Sequence, residues 1–194
     1  MRRVQLFQNA VLQVQSDGSV QVMQVTEAGL LPHPQLSGLS VPAGDPALTF
    51  VAPTVDQPNY TARLQVFQQS TVPDMWNGTP VAFSSTLGAA GGAAVWGLPT
   101  SSAKADPNNP QFVYQRFQNG TLLYDAAAGT TQLLPMGEYL KAVITRQNLP
   151  ADLASEAATA PLLRQYDPYR PQSLASPTQL TGSDLTDAFV PDLG

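Results

Sequence analysis

Val4-Gln5-Leu6-Phe7-Gln8-Asn9-Ala10-Val11-Leu12 lines up, residue for residue, with Tyr114-Gln115-Arg116-Phe117-Gln118-Asn119-Gly120-Thr121-Leu122. The register continues with Val14 matching Tyr124. After one inserted residue, Gly18 matches Gly129 and Gln21 matches Gln132. A shared Phe-Gln-Asn followed by a turn glycine at the corresponding place exceeds chance alternation. Two copies of a hairpin unit, each unable to bury its apolar face alone, imply mutual packing or packing on a shared centre. Val66-Phe67-Gln68-Gln69 is a weaker echo.

The register of the first copy follows from its side chains. Leu12 and Val14 alternate with Gln13 and Gln15, Ser16-Asp17-Gly18 interrupts, and Val20 and Val22 alternate with Ser19 and Gln21. A two-residue turn at Asp17-Gly18 would set Val14 against Gln21 and mix polar with apolar on one face. A three-residue loop over 16–18 sets Val14 against Val20 and Leu12 against Val22, with the glutamines on the other face. That loop needs a positive φ at its last position, where Gly18 stands. The second copy, 111–134, reads as an arm from Phe112 to Tyr124, a loop of Asp125 and three alanines, and a return from Gly129 into Thr131 to Leu134.

Between the copies, residues 31–58 carry six prolines and read as a linker holding one short strand, Leu48-Thr49-Phe50-Val51. Residues 62–67 alternate as a further strand. From Pro80 to Leu87 a short helix is expected, closed by Gly88 and the Gly91-Gly92 pair. Tyr139, Leu140, Val143 and Ile144 form one stripe of a helix over 136–147. Asn148 is placed to cap a second helix over 149–160. Beyond Pro161 a tail rich in Pro, Asp and Ser, with anchors such as Tyr166, Tyr169, Leu174 and Phe189, is expected to wrap the body. The division is an N-terminal hairpin unit (1–30), the linker (31–58), a hairpin and helix module (59–147) and a helix with an extended tail (148–194), within one compact domain. The fold class is α+β and β-rich: repeated β-hairpins with two short helices, long Pro-rich loops and a wrapping C-terminal tail.

Composition narrows the function. The chain has 194 residues, 9 basic and 14 acidic side chains, one His, no Cys and a net charge of −5. A formal charge of −5 argues against a phosphate-backbone binder, so no nucleic-acid partner is expected. Hydrophobic residues make up 43%, which excludes a solvated disordered polymer. Only 12% of residues are charged, about half the ordinary share, so the exterior is coated with amides and hydroxyls. No run approaches the ~18 apolar residues of a membrane span, and no secretory leader is visible, since Met1-Arg2-Arg3 leads directly into the alternating Val4-Gln5-Leu6.

The segments Leu87-Gly88 to Gly91-Gly92, then Val95-Trp96-Gly97-Leu98-Pro99-Thr100-Ser101, then Tyr114 to Tyr124 with Gly129, resemble the LGFP repeat of bacterial cell-envelope proteins and cell-wall enzymes. The similarity covers 83–134 and, in part, 4–25. It implies an exported, wall-associated module that accompanies other domains and is not itself catalytic. On the residues alone, Gly97 permits a positive φ or a close approach, Pro99 sets the chain's exit, and Thr100 or Ser101 can accept from backbone amides.

Catalytic constellations are lacking. The single His33 stands between two prolines, a poor setting for an imidazole held in one tautomer. One His and no Cys argue against a zinc site, which needs three or four His, Cys or carboxylate ligands. The pairs Asp152/Glu156 and Asp184/Asp187 read as solvated surface, and Gly91-Gly92 lacks the Lys of a phosphate loop. Asn59, Asn77 and Asn119 each begin an Asn-x-Thr triplet and read as turns. Aromatics are the better binding candidates, because a flat ring suits the C–H face of a sugar while Gln and Asn serve its hydroxyls. The candidate ligand-binding set is Trp76, Trp96, Tyr114, Arg116 and Tyr124, with no catalytic residue, metal or cofactor. The sequence therefore points to a non-catalytic cell-surface or extracellular module whose partner is cell-wall polysaccharide or a neighbouring surface-protein subunit. Alternatives are a structural subunit of a surface layer, filament or virion, and an accessory domain of a secreted cell-wall hydrolase or protease.

Overall fold

A computed structural model describes residues 2–24, 35–36, 39–40, 43–145 and 183–184. In chain order the first strands are β1 (Arg2–Leu6), β2 (Val11–Val14), β3 (Val20–Val22), β4 (Gln35–Leu36) and β5 (Leu39–Ser40). Then come α1 (Pro46–Val51), α2 (Tyr60–Thr71), β6 (Met75–Trp76), β7 (Thr79–Pro80), α3 (Phe83–Ala89) and α4 (Gly92–Trp96). The remainder is β8 (Lys104–Ala105), β9 (Phe112–Phe117), β10 (Gly120–Asp125), β11 (Thr130–Leu133), α5 (Met136–Thr145) and β12 (Ser183–Asp184). Mixed helices and antiparallel sheets make this an α+β, β-rich protein. The chain divides into two compact units, residues 1–38 with 135–194, and residues 39–134.

In the first unit, the sheet order is β12-β1-β2-β3, with β12 parallel to β1 and the rest antiparallel. Val14 pairs with Val20, Gln13 with Gln21 and Leu12 with Val22, the register that the three-residue loop requires. Gly18 takes φ +83° and its amide donates to the Gln15 carbonyl at 3.0 Å. Asp17 accepts from the Ser19 hydroxyl at 2.7 Å and the Ser19 amide at 2.9 Å, and the hydroxyl contact chiefly holds this exposed carboxyl below its ordinary 3.8. The buried face is the one carrying Val4, Val11, Gln13 and Met23, while Leu12, Val14 and Val22 are half-buried. Helix α5 contributes the buried Met136 and Leu140. It starts against the β1–β2 turn: the Glu138 amide donates to the Gln8 carbonyl at 3.2 Å, and a Cβ on Gly137 would collide with the Phe7 carbonyl. The expected helix over 136–147 is thus present as far as Thr145. The expected helix over 149–160 and the wrapping tail, apart from β12, lie outside the described residues.

The second unit carries the sheet β11-β10-β9-β8. Here the expectation of one arm from Phe112 to Tyr124 is corrected. The strand breaks at Gln118-Asn119 and doubles back, pairing Phe117 with Gly120 and Asp125 with Phe112. The residue after the reversal, Gly120, is a glycine because Trp96 packs where its Cβ would stand, 2.9 Å from the ring. The result is a three-stranded meander with the register of the first. Gln5 pairs with Leu12 and, in the second unit, Gln115 pairs with Leu122. Val14 pairs with Val20, and Tyr124 with Thr131. The Met23 amide donates to the Val11 carbonyl at 2.7 Å, and the Leu134 amide to the Thr121 carbonyl at 2.9 Å.

Two expected strands are helices. Residues 48–51 belong to α1 because Asp45 caps it, accepting from the Ala47 amide at 2.9 Å, with Pro46 at the first helical position. Residues 62–67 belong to α2, whose half-buried positions are Tyr60, Leu64, Phe67, Gln68 and Thr71. That is a 3.6-residue stripe, which the local alternation of Ala62, Leu64 and Val66 disguised. The expected helix over 80–87 starts later, at Phe83, and Gly91 at φ +98° separates it from α4. Helices α1 to α4 therefore exceed the two short helices expected. Asp74 stands in for a cap on α3, accepting from the Ser85 amide at 2.9 Å and its hydroxyl at 3.0 Å.

Candidate functional site

The block Trp96 to Ser101 closes against the β9–β10 turn. Gly97 sits at φ +73°, ψ −162°, a region open essentially to Gly alone. Its missing Cβ would lie 2.5 Å from Gln118 Oε1. That same Oε1 accepts from the Leu98 amide at 2.9 Å. Asn119 Nδ2 donates to the Val95 carbonyl at 2.8 Å, and the Asn119 amide to the Trp96 carbonyl at 3.1 Å. The turn amides thus satisfy the end of α4. Pro99 forms a bridge with Phe117. The Thr100 amide donates to the Arg116 carbonyl at 2.8 Å, and the Ser101 hydroxyl accepts from the Arg116 amide at 2.9 Å, as the sequence anticipated for one of these two hydroxyls. Gln115, wholly buried, donates through Nε2 to the Thr71 carbonyl at 2.7 Å and the Ser101 carbonyl at 3.1 Å.

The five binding candidates fall into two groups. Trp96 is 5% exposed, Tyr114 1% and Tyr124 7%, so none presents a ring face to a ligand. Trp96 is instead anchored by its indole N–H, which donates to the Ala90 carbonyl at 2.8 Å. The Tyr114 hydroxyl donates to buried Asp106 at 2.9 Å. Trp76 and Arg116 are half-buried. Trp76 lies on the β6–β7 hairpin, whose turn residues Asn77 and Gly78 take φ +47° and +82°, the geometry of a tight two-residue turn. Its indole N–H donates to the Ala103 carbonyl at 3.2 Å. The sequence set does not assemble into one pocket: three members support the fold and two keep partly solvated surface.

The second unit also carries a groove that sequence reasoning missed. It has a volume of about 530 Å³ and is lined by Val51, Pro53, Gln57, Ala62, Arg63, Val66, Phe67 and Ser70. Beside it Phe50 is 89% exposed, and Val55 is 81% exposed. The wall that Ala62, Val66 and Ser70 form was legible only once 60–71 was read as helical. Among the described residues no three His, Cys, Asp or Glu side chains are grouped to hold a metal ion, and no helix is long and apolar enough to cross a membrane. His33 lies outside the described residues. Comparison with protein-family models, curated proteins and solved structures returns no match.

Proposed function

We propose that this chain is a non-catalytic module of an exported protein, and that it binds, or is embedded in, cell-envelope glycan. The supporting observation is that the residues of the LGFP-like block are spent on architecture. Trp96, Gly97, Pro99, Ser101, Gln118, Asn119 and Gly120 hold α4 and the β9–β10 turn together. The common register of the two meanders supports their being copies of one unit, as in proteins that present the same scaffold repeatedly along a polymer. On this reading Trp76 offers a ring edge to the sugar, while Trp96, Tyr114 and Tyr124 brace the scaffold beneath.

The test is retention of the purified chain on cell-wall polysaccharide. Retention above a buffer control, reduced by Trp76→Ala and little changed by salt, is the expected outcome, since contacts to neutral hydroxyls are weakly screened. No retention at all overturns the reading. A second reading, a structural subunit of a surface assembly, draws on the exposed apolar face of α1 and α2. It predicts ordered oligomers formed without any glycan.

A further inference from the structure

We propose that the α1–α2 surface joins two copies of this chain in a symmetric dimer, with Phe50 of each copy seated in the groove of the other. Neither helix has a buried residue. Phe50 is 89% exposed, Val55 81%, Val66 66% and Val51 65%. One phenyl ring at that exposure leaves roughly 150–200 Å² in water, and an apolar cluster of this kind marks an interaction surface.

The shape and charge of the surface select a second copy as the occupant. A knob, Phe50, adjoins in sequence the wall of a groove begun by Val51 and Pro53 and completed by Ala62, Val66 and Phe67. A two-fold axis brings knob to groove twice over, whereas an unrelated partner would have to supply both a matching ring and a matching cavity. Charge is balanced in the same way. Residues 46–72 contain one acid, Asp56, and one base, Arg63. Arg63 lines the groove and donates through Nε to the Pro58 carbonyl at 3.1 Å, which leaves the two terminal nitrogens of its fork for a carboxylate. Asp56 is exposed on the loop between the helices. In the proposed dimer, Asp56 of each copy is the carboxylate that Arg63 of the other takes up. A highly charged partner finds little to pair with here; a second copy finds both signs.

The dimer stands whether or not the chain binds glycan, and its test uses no glycan. The mass of the intact chain is measured by sedimentation or light scattering across a concentration series. A concentration-dependent dimer is expected. Phe50→Asp should raise its Kd by about 30-fold or more, the effect of losing a central anchor. Because Phe50 buries little within its own chain, circular dichroism and the denaturation midpoint measured in dilute solution, where both proteins are monomers, should stay unchanged; Val55→Asp provides the same test at a second exposed site. Arg63→Asp should weaken the dimer, and adding Asp56→Arg should restore part of the loss. A monomer at the highest soluble concentration overturns the proposal. So does a dimer indifferent to both apolar variants, or a mass that climbs past two copies.

Discussion

Gly97 shows how much one missing methyl can decide. Its backbone occupies a region closed to L side chains, and Gln118 fills the space a Cβ would take. Gly97→Ala should therefore lower stability by about 1–3 kcal/mol from backbone strain, and by more if Gln118 must leave the Leu98 amide unpaired. Gly18 is the matched control. It also has a positive φ, but no atom lies within 4 Å of its would-be Cβ, so Gly18→Ala should cost only about 1 kcal/mol. Urea denaturation of the two variants checks the difference, and equal losses would remove Gln118 from the account. The sequence marked Gly97 and Gly18 as special positions through their neighbours, Pro99 in one case and the alternating valines in the other. It did not reveal that Gln118 is what Gly97 accommodates, because that contact joins residues twenty-one positions apart (118 − 97).

Among the elements, β9 is the strand on which the second unit is organised. It pairs with β10 along its whole length and with β8 on its other side. Its buried Tyr114 reaches Asp106, which in turn accepts from the Asn108 amide at 2.7 Å and the Asn109 amide at 3.2 Å. This carboxylate ties the 106–109 turn to the strand. Tyr114→Phe keeps the ring but leaves a buried carboxylate one donor short, and should cost about 1.5–3 kcal/mol. Denaturant unfolding measures the loss, and hydrogen exchange at Asn108 and Asn109 should quicken with it. Sequence patterning identified the Leu12/Val14 against Val20/Val22 register because period-two alternation and a turn glycine agree locally. It misread 48–51 and 62–67 because a short apolar run fits both periods, and the deciding signals were a cap at Asp45 and a stripe from Tyr60 to Thr71.

At the scale of the whole molecule, low charge governs behaviour. With 12% charged residues and a net charge of −5, little repulsion separates copies, and it vanishes near the isoelectric point of about 4.6. Solubility should pass through a minimum close to pH 4.6 and recover on either side. Turbidity across a pH series checks this, and a minimum well above neutrality would contradict it. In the proposed dimer, the same low charge leaves apolar shape at α1 and α2 as the main selector.

The sequence by itself determined the α+β class, the register of the first meander, the helix beginning near 136 and the special backbone position of Gly97. Each of these follows from interactions between near neighbours or from a strict period. Only the tertiary structure decided that Trp96, Tyr114 and Tyr124 lie inside while Phe50 lies outside. Burial depends on which distant segments cover a side chain, and an aromatic residue reads the same in a core as on a surface.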